Sequence, residues 1–496
     1  MPTELPPNPN LEHLKKQAKA LLRDFRLKDP AAVARFTDLQ LRAAPKLSDA
    51  QHVIAREYGF AAWPQLKDRV ELLAAGIPEA VGLVRQALRD DDREALRRVF
   101  DRYPILKTKI NEPLGDFDSP LITQARSGPV LDLLLDAGAD INARSRWWAG
   151  GFGLLDSASP DLAAHAIRRG AVVTVHAAAR LGMLEKLRDL IGADPELVHA
   201  RGGDGQTPLH FASTVEIASY LVDRGANLDA RDVDHDSTPA QYMVRTRPDI
   251  ARYLISRGTQ TDLLMAAALG DLGLAHKLLD ADPECIRMRV SEEFFPMVGG
   301  SNGGTIYQWE LGWHVSACLV ARKFGHSRLF DYLMGRSPAE EKLLNACWLH
   351  DEAMGNSLLA QNPDLAAALP AAGRRHVAHA ARNNDTIAVR LMLAAGLPMD
   401  TFSQHHATPL HWAAFHGNLE MVRLLLARHP PIENADNDYK TTPLAWAVFG
   451  SRNGWHAESG DYVAAVEALL EAGALIPRNE EGTEAVMAIF RTHGKR

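Results

Sequence analysis

The chain has 496 residues, 46% of them hydrophobic and 24% charged, with 36 Gly and 28 Pro, a composition that excludes collagen-like, low-complexity and wholly disordered classes. At roughly 150 residues per domain this length would make about three globular domains. The 55 basic residues against 62 acidic ones leave a net charge of −7, so no general attraction to nucleic acid or to an anionic membrane is expected.

Cys285, Cys318 and Cys347 show no C-x-x-C spacing, so neither a disulfide framework nor a cysteine zinc site is expected, and a reducing compartment suits them. The start, MPTELPPNPN, lacks a basic segment followed by an apolar one, and no run of about 18 apolar residues occurs. The expectation is a cytoplasmic protein with no membrane segment.

In chain order, Leu11, Leu14, Ala18, Leu21, Leu22 and Phe25 recur every three or four residues, which predicts an amphipathic helix capped by Asn10, with Lys15, Lys16 and Lys19 on its wet side. Further helices are expected over Pro30 to Ala43, from a Ser48 or Asp49 cap to Tyr58 with Gly59 as terminator, and after Trp63-Pro64. Residues 1–72 hold 12 basic and 9 acidic side chains, a local excess of positive charge that the rest of the chain lacks. Residues 1–75 therefore read as a small N-terminal helical domain.

Beyond residue 78 the chain repeats itself with a period near 33, a signal that precedes any globular reading. The clearest copies are GQTPLHFASTVEIASYLVDRGANLDARD from Gly205, STPAQYMVRTRPDIARYLISRG from Ser237, ATPLHWAAFHGNLEMVRLLLARHPPIENADND from Ala407 and TTPLAWAVFGS from Thr441. In each, Thr (207, 238, 408, 442) stands where it would cap an inner helix, and Pro follows at a position whose missing N–H does no harm. A glycine such as Gly417 or Gly325 permits the turn between helices, and Gly138 or Gly225 would end an outer helix.

This pattern resembles the ankyrin repeat, T-P-L-H-x-A-A followed by a Gly turn and an outer helix ending L-L-x-x-G-A-D. The resemblance spans about residues 79 to 477 and implies an all-α fold: an ankyrin-repeat α-solenoid of about eleven to twelve helix pairs with hairpin fingers, closed by a helix from Thr483 to Arg491 within a capping segment 478–496. It also implies a groove that binds a protein or peptide partner rather than a catalyst.

Departures from the pattern add residues where that groove would lie. Fingers are expanded at 144–153 and 285–315, KINEPLGDFD around Asn111 lengthens an early finger, and SRNGWHAESGDY puts an insertion at 450–461. Tyr307, Trp309, Leu311 and Trp313 alternate with polar or small residues, which predicts one strand of a two-faced ribbon, with VGGSNGG before it as a hinge. Seven of the nine tryptophans (147, 148, 309, 313, 412, 446 and 455) fall in fingers, inner helices or the insertion. Trp412 with Trp446, and Phe415 with Phe449, occupy equivalent places in adjacent repeats and should stack as ladders.

Two functions follow. The first is a scaffold that anchors a protein or peptide on Tyr307, Trp309, Trp313, Trp412, Phe415, His416, Trp446 and Trp455. The alternative is a closed aromatic pocket for a small metabolite or sugar, in which Glu310, Asp461, His314 and His456 could supply acid/base chemistry, as could Glu292, Glu293 and Glu458. His210 and His411 read as structural. His405, His406 and His416 have no metal-ligand spacing, VGGSNGG lacks the Lys-Ser/Thr ending of a phosphate loop, and no G-x-S-x-G occurs. No metal, no cofactor and no established catalytic motif are expected.

Overall fold

In a computed structural model the chain is described over residues 10–37, 45–296, 298, 303–477 and 481–493. Among these residues it is built from helices and short helical turns, with β-pairing confined to two isolated bridges. It divides into two compact units, residues 1–234 and 235–496.

The first unit opens with a helical cluster. Asn10 caps Leu11–Arg26 by accepting the Glu12 and His13 N–H groups, and Leu14, Ala18, Leu21 and Leu22 are buried at the expected spacing. They meet Phe36 from Pro30–Thr37, Val53 and Ile54 from Leu47–Glu57, and Leu66 and Val70 from Trp63–Arg89 in one core. The rest of the second helix anticipated to Ala43 lies outside the described residues. The third helix is capped at Lys46, two residues before Ser48 and three before Asp49, and Asp49 secures its start from the first turn by accepting the Lys46 N–H at 2.7 Å. Trp63–Arg89 runs unbroken through residue 75, where the sequence suggested a domain boundary.

Helix pairs follow, but several inner elements of this unit are single 3-10 turns, such as Leu121–Gln124, Leu154–Asp156 and Pro208–Phe211. Length explains the last of these. From Thr207 to the outer helix at Val215 there are three residues fewer than from Thr408 to Leu419, too few to complete a helical inner element and its Gly turn.

The second unit holds the regular pairs. Inner helices Leu263–Leu269, Ala317–Lys323, Ala339–Trp348, His376–Arg382, Pro409–Phe415 and Pro443–Asn453 each precede an outer helix, and Glu484–His493 closes the stack with Val486, Ile489 and Phe490 in the core. Alanines 380, 381, 413, 414 and 447 are fully buried, consistent with close approach of neighbouring helices.

The ribbon expected at 307–314 is not formed. Tyr307–Glu310 is a helical turn, because the same residues also satisfy a four-residue spacing: Tyr307 and Leu311 fall on one side and are fully buried. The pairing lies at the base of the finger instead, where Arg289 bridges Ser316, Val290 N donates to Val315 O and His314 N to Val290 O. Most of the glycine hinge anticipated before the turn lies outside the described residues. No helix among the described residues is long and apolar enough to cross a membrane.

Candidate functional site

The site grows from the repeat motif itself. At Thr408-Pro409-Leu410-His411 the Thr408 N–H donates to His411 Nδ1 at 3.3 Å, which leaves the ring hydrogen on Nε2, 3.1 Å from the Thr441 carbonyl. His411 thus ties two repeats together, and burial pushes its basicity down to about 4. His210 accepts the Thr207 N–H in the same way.

The next residue, Trp412, is only 2% exposed; its indole N–H donates to Ser403 Oγ at 2.8 Å. Trp446, its equivalent one repeat on, meets it edge to face at 5.2 Å, so this ladder forms. The phenylalanine ladder does not. Phe415 packs against Trp446 and Trp455 while Phe449 is exposed.

The insertion folds back over this floor. Helix Pro443–Asn453 ends at Gly454, the Asp461 N–H donates to the Gly417 carbonyl at 2.9 Å, and the Tyr462 hydroxyl donates to the Phe415 carbonyl at 2.9 Å. The turn lies so near the preceding repeat that a Cβ on Gly460 would come within 2.5 Å of the His416 carbonyl. This places the Trp455 ring on Trp412, stacked at 5.8 Å, with His456 against His416 at 5.1 Å.

Arg382, from the end of the inner helix His376–Arg382, fills the middle. Its guanidinium carbon lies 4.5 Å from the Trp313 ring centre, 5.1 Å from that of Trp455 and 5.8 Å from that of Trp412, a cation held by three indole faces. Nε donates to Gln404 Oε1 at 2.9 Å, and burial lowers the guanidinium to about 10. Trp412 is therefore covered by the chain's own Trp455 and Arg382. The outer rim is the accessible part: Trp455 is 58% exposed, as is Tyr439 at 59%, which packs on Trp446 at 5.8 Å.

Of the eight proposed anchors, Trp412, Phe415, His416 and Trp446 are buried in one continuous ring network with Trp455 at its surface, and the buried Trp313 joins it through Arg382. Tyr307 is elsewhere, fully buried with its hydroxyl donating to Asp262 Oδ2 at 2.9 Å, and so faces the core rather than a groove. Trp309 is 68% exposed, its indole N–H on the Gly303 carbonyl, and makes no ring contact among the described residues. The acid/base candidates are separated by their own partners: Glu310 accepts from Arg245 at 2.6 Å, Asp461 caps the helix Tyr462–Glu471, and His314 is buried against His379 and His376. None of the four candidates bonds to another among the described residues.

The match to known proteins agrees with this repeat geometry. A family profile described as ankyrin repeats (3 copies) matches residues 175–266, 318–437 and 377–480, together about half of the chain. The chain belongs to the ankyrin-repeat family. Among curated proteins it is 24% identical over 296 residues to E3 ubiquitin-protein ligase KEG of Arabidopsis thaliana, covering 56% of this chain and 17% of that protein. It is 27% identical over 118 residues to ankyrin repeat and SAM domain-containing protein 6 of Mus musculus, covering 23% of this chain and 13% of that one. The matches thus take in under a fifth of either relative's length. Family membership makes the chain a repeat scaffold of the kind used in protein–protein interaction.

Within the ankyrin frame the residues that sequence reasoning missed become legible. Aligning Ala380-Ala381 with Ala413-Ala414 puts His379 at the Trp412 position, Arg382 at the Phe415 position and Asn384, with φ of 57°, at the position of Gly417. A charged residue where neighbouring repeats carry an aromatic, and the His-x-x-His spacing of 376 and 379, were the available signals.

Proposed function

We propose that this ankyrin-repeat protein is a binding scaffold whose C-terminal unit holds a protein or peptide partner against the rim formed by Trp455, Tyr439 and Trp446. The observation that carries the reading is Trp455, a large apolar ring left more than half exposed on a network of packed aromatics. Interface energy concentrates in such residues, rigidly supported from behind and free in front. Trp412, Phe415, His416, Trp313 and Arg382 then act as the support rather than as direct contacts.

A reducing, cytoplasmic setting is part of this proposal. Cys285, Cys318 and Cys347 are free, and burial pushes their thiols up to about 11, 11 and 12.

The test is selection of a random peptide library on the whole chain. Enriched peptides should lose at least about tenfold in affinity for Trp455→Ala, since a hot-spot ring contributes upwards of about 2 kcal/mol. Peptides that bind a Trp455→Ala/Tyr439→Ala double variant as well as the parent would move the contact surface elsewhere.

A further inference from the structure

The base of the expanded finger carries a second, buried feature that the scaffold reading does not use. In its short antiparallel pairing Arg289 faces Ser316, while the Val290 N–H donates to the Val315 carbonyl and the Val290 carbonyl accepts from the His314 N–H, a bulge at which His314 takes a φ of 59°. The polar side chains at this base are buried: Arg289 is 3% exposed, Ser291 6% and His314 6%. Arg289 Nη2 is bound to Glu341 at 2.8 Å and Ser316 Oγ to Asn345 at 2.7 Å. By contrast Arg289 Nη1, Ser291 Oγ and both ring nitrogens of His314 make no hydrogen bond within the described protein.

Such groups are expensive to bury alone, at roughly 1–3 kcal/mol each, and a native site supplies them with partners. The neighbouring imidazoles say what kind. His314 stacks on His379 at 3.6 Å and lies 4.6 Å from His376. The Trp348 indole N–H donates to His376 Nδ1 at 3.0 Å and that of Trp313 to His379 Nδ1 at 3.3 Å. Indole is a donor only, so both Nδ1 atoms are acceptors and both Nε2 atoms carry hydrogen. A metal ion needs free nitrogen lone pairs, and these two rings offer hydrogens instead. The charges felt at His376 and His379 are cationic, those of Arg289, Arg375 and Arg382. Donors and positive potential with one unused guanidinium edge match an acceptor-rich anion. Because Arg289 and Arg287 are already countered by Glu341 and Glu340, little net positive charge is left, and a monoanion suits the site better than a dianion.

We infer that the cluster of Arg289 and His314, closed by His376 and His379, binds a small carboxylate monoanion. The Arg289 fork and the Nε2–H groups donate to its two oxygens. Trp313, which joins this site to Arg382 and Trp455, would report its occupancy in the aromatic rim. The inference stands independently of peptide binding.

Formate is the probe. The whole chain, at pH 7.5 in a carboxylate-free buffer and at constant ionic strength, is titrated with sodium formate, sodium chloride or sodium phosphate. Formate should raise Tm by a constant step per tenfold in concentration once past its Kd, and should move the Nε2–H resonances of His376 and His379. His314→Asn, which tolerates the left-handed backbone at φ of 59°, should weaken the apparent formate affinity at least tenfold. An equal shift with chloride, a stronger one with phosphate, an undiminished shift in the His314→Asn variant, or unmoved histidine resonances in the parent protein would each overturn the assignment. The last readout requires no variant to fold.

Discussion

At the scale of single residues, burial decides what each aromatic side chain can do. Tyr307 and Trp309 are two positions apart, yet one is a core strut and the other an exposed ring. Tyr307 shares its hydroxyl with the buried Asp262 carboxylate, which also caps Leu263–Leu269 by accepting the Met265 N–H at 2.8 Å. Burial pushes the Asp262 carboxyl upward in pKa, opposed by these hydrogen bonds and one from Gln241. Tyr307→Phe should therefore cost about 1–2 kcal/mol through the partner lost by Asp262. Trp309→Ala, which empties no core, should stay within about 0.5 kcal/mol. Urea unfolding of both variants checks the contrast. Equal effects would mean that the Tyr307 hydroxyl contributes nothing that Trp309 does not.

At the scale of elements, the insertion after Asn453 is positioned by close backbone approach. Gly460→Ala would set a Cβ within 2.5 Å of the His416 carbonyl, so the turn must move and lift Trp455 from Trp412. The expected outcome is a loss of about 1–3 kcal/mol, a red-shifted tryptophan emission and faster proteolysis at residues 454–460, with helix content unchanged. Unaltered emission would show that the stack does not depend on this contact. The regular elements were readable from sequence because their signals are local: a Thr cap, a Pro beside it, a Gly at the turn. Hence Thr408, Thr442, Gly417 and the Trp412–Trp446 ladder fall where the motif puts them. The finger was misread because alternation of Tyr307, Trp309, Leu311 and Trp313 contains a four-residue spacing as well, and only packing against the core chooses between them. Arg382 was missed for a related reason. Its role exists only where the finger, one inner helix and the late insertion meet, and no local spacing records that meeting.

At the scale of the C-terminal unit, a row of neutral imidazoles in the core couples stability to pH. Burial lowers His411 and His416 to about 4 and His379 to about 3, and holds His314 and His376 well below the ordinary histidine range, aided for His314, His376 and His379 by the nearby Arg289. Unfolded, each would titrate near roughly 6.5. Above that pH both states are neutral and the histidines add no slope. Below it the unfolded chain takes up protons that the folded one refuses, so stability falls as pH falls, by about 1.4 kcal/mol per pH unit for each such ring, until the folded pKa is reached. The urea midpoint, followed by tryptophan emission, should therefore hold steady from pH 8 to 7 and drop steeply between pH 6.5 and 5. His416→Gln should make that drop shallower by one histidine's share, roughly 2 kcal/mol at pH 5. A midpoint that does not change between pH 7.5 and 5 would mean that these rings gain protons in the folded state as readily as in the unfolded one. The desolvated core described for His314, His376, His379 and His416 would then be open to water.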